Sequence, residues 1–144
     1  MAAQLNKSAV TFVVASIGLF VPVHVSAREI KDVTVLRYGL TSSKDDRLAE
    51  ECKRFKPTKK QVRTFFLSAY SVPQYFGSHD RYAPCYATGT IVFDDFGEAR
   101  WTITSGGVAS LIWSEGDTVD LYKKNNGWFD PTACTYGLGD KGEC

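Results

Sequence analysis

Apolar and polar residues alternate along the second half of the chain, from Cys85 to Lys123. The alternating runs are CYATGTIVF (85–93), ARWTIT (99–104), VASLIWS (108–114) and TVDLYK (118–123). Between them stand DDFGE, SGG and SEGD, whose glycines and acidic or hydroxyl side chains favour tight turns. A period of two sends successive side chains to opposite faces of a strand. The stretch therefore predicts a four-stranded antiparallel meander. Parity sorts its faces. Ile91, Phe93, Trp101, Ile103, Leu111, Trp113, Val119 and Leu121 share an apolar face. Thr88, Thr90, Arg100, Thr102, Thr104, Ser110, Ser114, Thr118 and Asp120 share a polar one. A sheet that is apolar on one side requires one covering layer.

The cover is expected from the preceding segment, where the period changes to that of a helix. Val62, Phe65, Phe66, Ala69 and Tyr70 fall at i, i+3, i+4, i+7 and i+8, a single apolar stripe. Thr58 with Gln61 three residues on forms a capping box at its start, with Pro57 just outside, and Pro73 stops it. Lys59, Lys60 and Arg63 lie off the stripe and face outward. Ala87 and Gly89 leave room on the first meander strand for a close approach of this helix. Further upstream, DVTVLRYG (32–39) reads as one more strand, and Thr41–Glu51 as a loop or a ragged helical turn. The expected fold class is α+β: one main amphipathic helix packed on a four- to five-stranded antiparallel meander sheet, stabilised by disulfides.

Residues 1–27 have a different character. Lys7 is followed by the uncharged run SAVTFVVASIGLFVPV, and VSA (25–27) supplies a small-residue exit. That pattern predicts a cleavable secretory signal, with a retained membrane anchor as the rival. Residues 28–144 are then a single domain, with 122–144 as a disulfide-pinned tail. All four cysteines, Cys52, Cys85, Cys134 and Cys144, fall in this part. An even count in an exported chain reads as two disulfides, and four cysteines allow three pairings. We expect Cys52–Cys85, tying the segment before the helix to the start of the sheet, and Cys134–Cys144, closing a loop in a glycine-rich tail. Neither a C-x-x-C spacing nor a second histidine after Ala27 is present, which argues against zinc.

Without Lys7, the chain carries 16 basic and 16 acidic residues, unevenly placed. Lys53, Arg54, Lys56, Lys59, Lys60 and Arg63 form a run with no acid, whereas from Asp94 onward nine acids face four bases. In an exported protein the basic run reads as a solvated helix face, or as a surface that meets an acidic protein or an anionic envelope polymer, rather than a nucleic-acid site.

The stretch SHDRYAPCYATG (78–89) brings His79 near Cys85, the one pair that suggests a nucleophile and its base. Yet Cys85 opens a strand after Pro84 instead of a helix, and an oxidising compartment captures its thiol. Asp94 with Asp95, and Glu115 with Asp117, read as turn residues rather than a glycosidase pair. Phosphate-binding glycine loops and the G-x-S-x-G elbow are absent from the sequence. The expectation is therefore no catalytic residue, no metal and no cofactor. Aromatics supply the remaining signal. The tail either wraps back to bury Trp128, Phe129 and Tyr136 or presents them to a partner. His79, Arg81 and Tyr82 complete the candidate partner-binding set.

The order Cys52, Phe55, Pro57-Thr58, Gln61-Val62, Phe65-Phe66, Ala69, then Pro84-Cys85-Tyr86-Ala87, Gly89, Phe93, Trp101, Ile103, Gly107 and Leu121-Tyr122 resembles a group of small exported bacterial proteins of uncharacterised function. The shared motif consists of a cap, a disulfide and a core, so the resemblance implies a fold and assigns no catalytic residue. The functional expectation is a periplasmic or secreted envelope protein that binds another protein. Its most concrete form is an immunity protein or inhibitor of a toxin or wall-degrading enzyme. A small periplasmic hydrolase or ligand-binding protein, and an envelope structural protein, are the alternatives. No nucleic acid and no stable membrane insertion after signal cleavage are expected.

Overall fold

The structure, a computed structural model, describes residues 29–134. The expected signal segment, Tyr136 and Cys144 lie outside the described residues. The element order is β1 (Ile30–Thr41), α1 (Asp46–Cys52), α2 (Lys59–Ser68), β2 (Tyr70–Val72), α3 (Phe76–His79), β3 (Cys85–Phe93), β4 (Gly97–Thr104), β5 (Val108–Trp113) and β6 (Thr118–Tyr122). The fold is α+β. Among the described residues six strands form one sheet in the order β1-β3-β4-β5-β6-β2, and every neighbouring pair is antiparallel. No helix among the described residues is long and apolar enough to cross a membrane.

The meander stands where alternation placed it, with Gly89 opposite Trp101, Trp101 opposite Leu111 and Leu111 opposite Val119. Burial alternates without exception along β3, from Cys85 to Phe93. The sheet is nonetheless wider than expected. Tyr70, expected on the helix stripe, belongs instead to β2 and pairs with Tyr122. The helix ends at Ser68, because Ala69 turns extended (φ −70°, ψ 147°) so that the chain can add itself to the β6 edge. A three-residue strand is too short to show a period of its own.

One dominant helix is also not what forms. Three short helices are present among the described residues, and the covering layer is shared among several pieces. The capping box of α2 is realised, with Gln61 N donating to Thr58 Oγ1 and Thr58 N donating to Gln61 Oε1. From α2, Val62 and Phe65 are fully buried while Phe66 is half-buried. Phe55, from the link between α1 and α2, and Trp128, from the tail, complete the layer around Phe65. The Thr41–Glu51 region holds α1, whose start is capped by Asp45 accepting from Arg47 N.

The room at Gly89 is not taken by α2. An added Cβ there would stand 1.9 Å from the Thr34 carbonyl oxygen and 2.4 Å from Trp101 Cζ2. The space is thus filled by the β1 backbone and by the indole lying across from it, whose Nε1 donates to Thr90 O at 2.9 Å. Glycine paired with a cross-strand aromatic lets two backbones and a ring occupy one volume.

The Cys52–Cys85 disulfide joins the last residue of α1 to the first of β3 across 33 residues, with both cysteines fully buried. Closing a loop of that length stabilises the fold by about 4 kcal/mol in the chain-entropy account. Cys134 is also disulfide-bonded. Its expected partner, Cys144, lies outside the described residues.

Candidate functional site

The segment after β6 folds back on the sheet, and Asn126 organises the return. Its Nδ2 donates to the carbonyls of Lys123 and Lys124, and its Oδ1 accepts from Trp128 N at 3.3 Å. Gln61 of α2 ties down the same turn, donating to Gly127 O at 2.6 Å. On the sheet side, Gly107 at φ +84° accepts from Lys123 N; a Cβ there would meet Lys123 O at 2.4 Å, so glycine is required twice over. These constraints direct the Trp128 indole inward. It packs 5.8 Å from the Phe55 ring and 5.4 Å from the Phe65 ring, and Nε1 donates to Ser105 O at 2.9 Å. Phe129, the next residue, stays exposed, with the Arg54 guanidinium 4.6 Å over its ring.

The fold-back leaves a cavity of about 260 Å³ at the β4–β5 turn, lined by Arg81, Ser105, Lys124, Trp128, Phe129 and Asp130 among others. Three residues singled out from sequence meet there, Arg81 joining Trp128 and Phe129 from a distant part of the chain. Arg81 follows α3 and lies 5.6 Å over the Tyr122 ring, which also lines the cavity. Asp130 is held by an Asx turn, accepting from Thr132 N and Oγ1. Ser105 is only 1% exposed, and its Oγ finds no hydrogen-bond partner among the described residues. Leaving a buried hydroxyl unpaired costs about 1–3 kcal/mol.

His79 and Tyr82 are not among the residues that line the cavity. His79 ends α3 on the surface, with its ring edge-on to Tyr75 at 6.3 Å. Tyr82 is exposed. Cys85 is buried in its disulfide, so it offers no thiolate to His79. The nucleophile-and-base arrangement is therefore ruled out at this pair.

The basic run is largely engaged with its own molecule. Lys59 Nζ stands 2.6 Å from Asp32 Oδ1, holding α2 to β1, and the bond keeps the Asp32 carboxyl below its ordinary pKa. Lys53 pairs with Glu50 at 2.5 Å, and Lys56 sits 5.7 Å over the Tyr38 ring.

Sequence reasoning missed a second concavity. In an antiparallel meander, alternate turns fall at the same end, so the β3–β4 and β5–β6 turns are neighbours. Asp95 and Phe96 from the first, Glu115 and Asp117 from the second, and Trp113 between them line a cavity of about 420 Å³. Trp113, assigned by parity to the core, is only half-buried, tilted 6.3 Å from Phe93 at the sheet end. The signal was present: turns of like charge two apart in a meander must converge.

Compared with protein-family models, with curated proteins and with solved structures, the chain matches none.

Proposed function

We propose that this chain is an exported bacterial envelope protein that works by binding another protein, in its most concrete form an immunity protein or inhibitor that neutralises a toxin or a wall-degrading enzyme. The observation that carries the reading is the Arg81–Trp128–Phe129 cavity. A shallow hollow with an exposed aromatic rim and a cation suits a partner's polar anchor residue. The buried Cys52–Cys85 bond fits the oxidising compartment that an exported protein meets. The resemblance to small exported bacterial proteins points the same way.

The test is co-expression with the product of the adjacent gene. A stable complex and protection from that product's toxicity support the reading. Phe129→Ala and Arg81→Ala should each weaken the complex by about tenfold or more, as central contacts do. The same cavity favours a small-ligand binder as the second reading. A complex indifferent to both substitutions would remove the cavity from the binding surface.

A further inference from the structure

The end of the sheet opposite the Arg81–Trp128 cavity carries a second, independent surface. We propose that the hollow between the β3–β4 and β5–β6 turns takes an arginine side chain of a basic protein partner. Its walls are aromatic: Phe96 is 53% exposed at the tip of one hairpin, and the Trp113 ring stands behind it. Its rim is anionic. Asp94, the next acid along, is already compensated by Lys31 at 2.5 Å. Asp95, Glu115 and Asp117 have no salt-bridge partner among the described residues. The Ser114 hydroxyl donates to Glu115 at 2.8 Å and favours its ionised form. Three uncompensated carboxylates around two rings make a field that attracts cations.

The arrangement selects among cations. No group of three acidic, histidine or cysteine side chains among the described residues stands close enough to hold a metal ion. The carboxylates that line the hollow come from two separate turns. A guanidinium is the planar cation that can lie on an exposed ring while its N–H edges turn toward carboxylates on different sides. An ammonium has no flat face to lay on Phe96. The turns are also the outermost points of the sheet, placed to enter a cleft of a partner rather than to enclose a free metabolite.

The experiment is a titration of the ¹⁵N-labelled protein at low salt with a hexa-arginine peptide, against hexa-lysine and calcium chloride. The expected result is saturable shifts confined to the Trp113 indole and the two turns. Hexa-lysine should bind at least about threefold more weakly. Combined Asp95→Asn, Glu115→Gln and Asp117→Asn should weaken hexa-arginine about tenfold, and Phe96→Ala alone about threefold. Phe96→Ala changes an exposed turn residue, so it decides the matter even if the triple variant does not fold. Shifts spread over all acidic residues, equal binding of both peptides, no effect of Phe96→Ala, or saturable calcium binding at the same turns would each overturn the proposal. None of these outcomes depends on what the Arg81–Trp128 cavity binds.

Discussion

At Gly89 a single methyl group would have to pass through the Thr34 carbonyl and the Trp101 ring, so glycine there joins β1, β3 and β4 in one volume. Gly89→Ala should cost at least about 3 kcal/mol, the upper range for overpacking, or prevent folding. A denaturant titration measures it, and an unchanged midpoint would show that β1 can move away. Ser105 makes the opposite case. Because its buried Oγ has no partner among the described residues, Ser105→Ala should leave stability unchanged or raise it by about 1 kcal/mol. A loss of more than about 1 kcal/mol would mean that the hydroxyl is bonded in solution. The small residues at 87 and 89 were visible in the sequence; which neighbour filled the space was not. A pattern of one strand does not say whether a helix or a cross-strand ring comes closest.

Among the elements, those with a period of their own were legible. The four meander strands, the β1 strand and the capped start of α2 follow from alternation, the 3.6 repeat and the Thr58–Gln61 box. What escaped has a physical reason. β2 is three residues that gain their conformation from pairing with β6, and α1, read only as a loop or a ragged helical turn, is about two turns among polar residues. Replacing Thr58 by Ala should cost about 1 kcal/mol through the lost cap, read from the same denaturant titration.

Element docking also responds to pH. The Lys59 bond lowers the Asp32 pKa, so the α2–β1 link is fully present above the ordinary aspartate range and is lost as pH falls through the depressed value. The Asp94 bond raises the Lys31 pKa, so that contribution holds below the ordinary lysine range and fades as pH rises past the raised value. Thermal melts across the acid range should therefore show a smaller loss on acidification in Asp32→Asn than in the parent protein. Identical acid limbs would contradict the role of this pair.

For the whole molecule, the disulfide framework and the surfaces at the two ends of the sheet decide the account. The Cys52–Cys85 pairing was expected from chain order, and the three-way choice was resolved only by the fold that brings α1 to β3. Reducing that bond should lower stability by about 4 kcal/mol, and non-reducing mass spectrometry of the intact protein checks that Cys85 carries no thiol. The candidate site was half legible. Aromatic and cationic residues at 81, 128 and 129 stood out by composition, but His79 and Tyr82 share their neighbourhood in sequence and not the cavity. The hairpin-end hollow was hidden because its acids had a sufficient local explanation as turn residues. Convergence is a property of topology, and it appears only when the turns are placed at one end.

The central claim is that the protein acts by holding another protein. The most direct measurement is copurification of the full chain with the product of its adjacent gene, followed by an assay for protection from that product's toxicity. A stable complex with protection, weakened by Phe129→Ala, is the result this account predicts. Neither a complex nor protection with any neighbouring product would contradict it.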